Sequence, residues 1–182
     1  MAMAKLPISM AETSCCRIQR FFLYLLQTKQ PLFIQTMSLY NPSRDQARQF
    51  LFDAWAKFKQ IAPLTDLEKI AVEVMQMHPE YHEILGAPER YLQQQYFPEM
   101  GETNPFLHLS LHLSVIEQIS INQPIGISDV YAKLLKKYSD KHLAQHDLLE
   151  CLAETIWHSQ HNNLPLDSAH YLNLLNQRIG QA

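Results

Sequence analysis

The chain of 182 residues has the length of one globular domain, and its 47% hydrophobic and 18% charged residues exclude wholesale disorder. A net charge of −3 without a strong basic cluster disfavours nucleic-acid binding, and the apolar run at residues 21–26 is too short to cross a membrane. Three cysteines, two of them adjacent, make no disulfide framework. These features predict a soluble cytoplasmic protein that binds neither nucleic acid nor membrane; they leave open a protein or small-molecule partner.

Residues 1–36 differ from the rest of the chain. Their net charge is +3, whereas residues 37–182 carry −6. The segment shows no sustained helical period, and Pro31 interrupts its main apolar stretch. Two interpretations follow: translation begins at Met37 and residues 1–36 are spurious, or they form a flexible extension of a helical domain at 37–182.

Helix signals fill the first half of that domain. Ser43 can cap a helix from about Arg44 to Gln60, whose apolar residues recur at spacings of three and four. Thr65 and Glu68 form a capping box ahead of a second helix that reaches about Met77. Prolines then open two shorter helices, over residues 80–85 and 88–96.

The second half contains the longest periodic segments. Asn104 and Pro105 start a helix over residues 105–121, Ser128 is placed to cap one that ends near Tyr138, and a long helix spans about 141–161. Asp167 is placed to cap the last helix, which stops near Gly180. With few glycines and no strand alternation, the sequence predicts an all-α, single-domain bundle of about seven helices around one core, with 105–121 and 141–161 at its centre.

Nine histidines are many for this length, and several recur at helical spacing. His108 and His112 lie about 40° apart on one helix face, together with Val115, so that face is expected to point inward. His146 and Glu150 form a similar pair on the long helix, preceded by His142 at the same spacing.

This pattern supports a metal-binding hypothesis. A divalent ion in a helical bundle needs imidazoles and carboxylates that converge from several helices. His108, His112, His146 and Glu150 are the predicted ligands of a zinc or iron ion. Three further histidines could replace a ligand or orient one: His78, His82 and His142.

The alternative is a structural or protein-interaction module whose histidines are hydrogen-bonded within the fold. Spacings of four occur in any amphipathic helix, so they do not decide between the two. The chain lacks the His-Glu-x-x-His pattern of zinc peptidases and the Glu-x-x-His pattern of di-iron bundles. Whether the protein is an enzyme stays open, and no catalytic residue is predicted.

Five stretches between residues 40 and 177 carry a family resemblance. They are Asn41-Pro-Ser-Arg, His78-Pro-Glu-Tyr-His82, Gly101-Glu-Thr-Asn-Pro-Phe-Leu-His108-Leu-Ser-Leu-His112, Glu117-Gln118 and His146-Asp-Leu-Leu-Glu-Cys-Leu-Ala-Glu154-Thr-Ile-Trp157. Through them the chain resembles a bacterial family of uncharacterised proteins, domain of unknown function 1841. The resemblance implies a bacterial cytoplasmic protein that starts near Met37, and it implies no particular activity.

Overall fold

The computed structural model describes residues 44–97 and 102–180. Of these, 77% are helical, in eight α-helices and one short 3-10 helix, Pro79–Tyr81, and none lies in a strand. The α-helices are α1 Arg44–Lys59, α2 Asp66–Gln76, α3 His82–Leu85, α4 Pro88–Tyr91, α5 Pro105–Ile121, α6 Ile127–Tyr138, α7 Lys141–Asn162 and α8 Ser168–Gly180. The predicted all-α class is confirmed. The proposed extension at 1–36 and the cap at Ser43 lie outside the described residues.

Local capping sets the start of several helices. The Thr65 and Glu68 side chains satisfy each other's backbone N–H groups ahead of α2, as the capping box predicts. Asn104 Oδ1 accepts hydrogen bonds from the first turn of α5, and Asp167 Oδ1 does so for α8. Asp140 Oδ1 caps α7 through the N–H groups of residues 142 and 143, at 2.7 and 3.0 Å. These side chains fix where the helices begin.

Two helix predictions need correction. The helix expected to reach residue 96 ends at Tyr91, because buried Arg48 Nη1 donates to the carbonyls of Leu92 and Gln94, both at 2.8 Å. These carbonyls are therefore held by a side chain from α1. Ser128 does not cap α6. The helix begins at Ile127, two residues before the start that a Ser128 cap predicts, and it follows Gly126, which has a left-handed conformation. The Ser128 hydroxyl instead donates to the Ile119 carbonyl at 2.8 Å.

Buried apolar side chains form two clusters instead of the single core expected. The N-terminal cluster comprises the buried apolar residues from Leu51 to Leu109 and draws on α1, α2, α3 and the start of α5. The C-terminal cluster runs from Leu111 to Leu175 and draws on the rest of α5 with α6, α7 and α8. Helix α5 belongs to both, so it joins the two parts of the bundle.

Within residues 44–97 and 102–180, we find no helix that is both long and apolar enough to cross a membrane.

Candidate metal centre

Helix α5 presents two histidines to the interior. His108 and His112 are 4% and 0% exposed, and Val115 on the same face is also fully buried. The predicted inward face is therefore confirmed. Their rings lie 4.9 Å apart between centroids, one turn from each other. This face lies where α5 passes from the N-terminal to the C-terminal cluster.

Helix α7 supplies a second pair that meets the first. The His142 and His146 ring centroids are 4.2 Å apart. The His146 ring lies 5.2 Å from that of His108 and 4.9 Å from that of His112. The two helix-borne pairs thus converge, as a site shared by α5 and α7 requires.

His78 lies at the centre of this group, on the segment between α2 and the 3-10 helix. Its Nδ1 donates to the Glu80 carboxylate at 2.8 Å. Its Nε2 faces the Nε2 atoms of three other histidines: His112 at 3.0 Å, His142 at 3.1 Å and His108 at 3.3 Å. The sequence offered His78 only as a replacement ligand or as a residue that orients one; its central place depends on the packing of α2 against α5.

Hydrogen bonds alone do not account for this geometry. With the Nδ1 proton directed at Glu80, His78 Nε2 carries either one lone pair or one proton, so it can form one hydrogen bond to an imidazole. Three imidazole nitrogens nevertheless lie within 3.3 Å of it. His146 Nε2 and His112 Nδ1 are buried without a hydrogen-bond partner among the described residues. Nitrogens that crowd one point without enough protons between them are what a cation would hold together.

Burial keeps the imidazoles of α5 and α7 in the neutral form that binds metals. Desolvation, with a smaller contribution from neighbouring rings, lowers the pKa of His108 to about 2 and that of His146 to about 4. Burial also lowers the pKa of His112 and of His142. Neutral imidazoles offer a free lone pair at physiological pH, and this is the state in which histidine ligates metals.

Four of these histidines could hold one metal ion. His78, His108, His112 and His146 each offer a ligand atom, and these atoms all lie within 4.8 Å of one another. The structure therefore brings together three of the four predicted ligands and adds His78. His142 lies beside this set through its contact with His78.

Glu150, the fourth predicted ligand, is engaged elsewhere. Its Oε2 accepts from Arg178 Nη2 at 2.9 Å, and Arg178 Nη1 also lies 3.8 Å from the Asp147 carboxylate. An arginine from α8 thus binds and orients this carboxylate. The pairing offsets part of the cost of burying the two charges. Helix α7 contributes two histidines to the group, His146 one turn before Glu150 and His142 two turns before it.

The four remaining histidines lie outside the histidine cluster, which consists of His78, His108, His112, His142 and His146. His82 Nε2 contacts the Met75 carbonyl at 2.9 Å, and its ring packs 4.5 Å from that of Trp55. His158 and His170 stack on each other, and His161 stacks on Trp157. These four positions provide internal controls for experiments on the cluster.

Fold and site define a class: an all-α protein with a histidine cluster able to hold a metal ion. The chain belongs to the family described as Domain of unknown function (DUF1841), whose model matches residues 43–177. The resemblance drawn from the sequence is confirmed. No curated protein and no solved structure shows significant similarity to the chain.

Proposed function

We propose that this protein binds one divalent transition-metal ion through His78, His108, His112 and His146. The observation that carries the proposal is the convergence of four ligand atoms within 4.8 Å of one another, three of them on buried residues. Such a set comes from two helices and one connecting segment, as in other helical-bundle metal sites.

The spacing of the nitrogens suits an ion of this class. Zinc binds imidazole nitrogen at about 2.0–2.1 Å, so neighbouring ligands of a tetrahedral ion lie about 3.3 Å apart. The distances from His78 Nε2 to His112 and His108 Nε2 are 3.0 and 3.3 Å. The other distances within the set are at most 4.8 Å, so the remaining ligand atoms would draw closer together to enclose an ion.

The donor set favours zinc or iron over magnesium or calcium. All four ligands are imidazoles, which suit zinc, copper, iron and nickel, whereas magnesium and calcium require oxygen ligands. The Glu80 carboxylate bonds the far nitrogen of His78. A carboxylate in that position orients the ring and raises its basicity toward a metal.

The competing interpretation is an interaction module whose histidines are satisfied by each other. It requires that every buried imidazole nitrogen find a partner. The unpartnered His146 Nε2 and His112 Nδ1 weigh against it.

The test is metal analysis of the full chain, purified without a histidine tag. We expect about one zinc or iron per chain, and cobalt substitution should give the visible spectrum of a nitrogen-ligated ion. His112→Ala should lose the ion, whereas His161→Ala, outside the cluster, should retain it. Equal loss in both variants, or no bound ion after titration with zinc and with iron(II), would refute the proposal.

A further inference from the structure

The five clustered histidines differ in their access to solvent. His78, His108 and His112 are at most 4% exposed, whereas His142 and His146 are partly exposed. The neighbours of His146 along the chain, Gln145 and Asp147, are buried. His142 lies between exposed Lys141 and Leu143, and Asp140 before them is exposed as well, whereas Ala144 after them is buried. The five histidines are thus enclosed at His78, His108 and His112 and reach solvent through His142 and His146 on α7, His142 in the first turn of that helix.

His142 stands at this opening, next to the group that can hold an ion. Its Nε2 lies 3.1 Å from His78 Nε2, about the distance between two ligands of the same metal. The four-histidine group does not include it. A four-coordinate ion held by that group would leave His142 as a fifth imidazole, in contact with one of the ligands, His78.

Negative charge surrounds the same opening. Asp140 caps α7 with its carboxylate, and the Glu80 side chain, bonded to His78, is 53% exposed. Both carboxylates act on His142 and partly oppose the lowering of its pKa by burial. Lys141 lies on this side too, 3.7 Å from the Glu73 carboxylate. Carboxylates at an opening attract cations and speed their arrival.

We infer that His142 is an exchange ligand, which receives a divalent ion from solution and passes it to the four-histidine site. This inference rests on the proposed function. An arriving ion binds His142 Nε2 and His78 Nε2 first, then exchanges His142 for the buried imidazoles, and release follows the reverse order. No redox change is involved, and each metal–nitrogen bond that breaks is replaced by another. The site is therefore one for a reversibly bound ion, not a permanently enclosed one.

The test compares rates with affinities in the full chain. Zinc loading and release to excess chelator would be followed for the wild type, His142→Ala, and His161→Ala as a matched control on the same helix. For His142→Ala we expect one ion still bound, a dissociation constant within a few-fold of wild type, and both rates slower by about tenfold or more. His161→Ala should match the wild type in all three.

Several outcomes would overturn the inference. Loss of the ion in His142→Ala would make His142 an obligatory ligand, and unchanged rates would make it a bystander. If His142→Ala lost helicity, His142→Phe would keep a ring without ligating nitrogens and face the same criteria. A wild type that binds no ion would refute the proposed function itself, so the two failures are distinguishable.

A second variant tests the charge at the opening. Asp140→Asn keeps the cap of α7, because asparagine caps as well as aspartate, but removes the negative charge. Zinc loading should slow several-fold at low salt, and the difference should shrink as salt is added. Loading that is as fast as wild type at low salt would contradict this role for the opening.

Discussion

The Nε2 atoms of His78 and His112 lie 3.0 Å apart, although 34 positions separate them in the chain. His78 follows α2, which packs in the N-terminal cluster, and His142 and His146 belong to α7, which packs in the C-terminal cluster. The histidines therefore connect the two parts of the bundle directly, in addition to the connection through α5.

A metal ion in this position should stabilise both parts together. An ion that binds only the folded state at a concentration about 1,000-fold above its dissociation constant adds about 4 kcal/mol to the free energy of unfolding. We expect zinc to raise the melting temperature and to slow hydrogen exchange in α2 and α7 alike, and chelator to reverse both. Protection confined to one of these helices would contradict a bridging ion.

His78 and His82 form a matched pair four residues apart. His78→Ala should weaken zinc binding by at least about 100-fold, because it removes the central ligand. His82→Ala should leave the affinity unchanged and lower the free energy of unfolding by about 1 kcal/mol through its lost bond to the Met75 carbonyl. Isothermal titration and chemical denaturation would separate the two effects, and comparable affinity losses would place His78 outside the site.

The metal-free protein should lose stability in acid. Burial holds the pKa of His146 at about 4 and that of His108 at about 2, below the ordinary value of 6.5 that applies when the chain unfolds. Between these limits the unfolded state binds more protons than the folded state, so the free energy of unfolding falls as pH falls below about 6.5. Each such group contributes a slope of up to about 1.4 kcal/mol per pH unit.

Urea denaturation between pH 7 and pH 4 would measure this slope. His146→Gln removes one of the titrating groups and should make the pH dependence shallower. Stability that is flat across this range in the wild type would mean that the imidazoles take up protons as readily in the folded protein as in the unfolded chain.

The C-terminal cluster should not tolerate a charge. Leu111 is 5% exposed and Ile156 is 9% exposed within it, so Leu111→Asp or Ile156→Asp would bury an unpaired carboxylate. Either variant should unfold, or lose more than about 4 kcal/mol, as judged by circular dichroism. Ile125→Asp provides the control, since Ile125 is 78% exposed and should change stability little.

Residues 1–36 are predicted to be dispensable for folding. A chain shortened to begin at Met37 retains every residue matched by the family and should unfold with the same midpoint and cooperativity as the full chain. Aggregation of the shortened chain, or a loss of several kcal/mol, would show that the segment belongs to the folded unit.

Much of the fold could be predicted from sequence, because helix starts depend on neighbouring residues. The Thr65–Glu68 box, the Asn104–Pro105 start of α5 and the Asp167 cap of α8 involve groups within a few positions of each other. The prediction that the helix from Pro88 reaches residue 96 failed because a distant side chain holds the backbone there. Arg48 holds the carbonyls at Leu92 and Gln94, and no pattern within residues 88–96 contains that arginine.

The same distinction applies to the metal centre. By itself the sequence placed His108 and His112 on one inward face, since four residues make about one helical turn. It predicted Glu150 as the companion of His146, with His142 as a replacement, although no local signal separates the two, because both lie one turn away along α7. That choice depends on rotation of α7 in the packed bundle and on Arg178, which binds Glu150. It could not place His78 at the centre either, because nitrogens this far apart in the chain meet only once two helices pack.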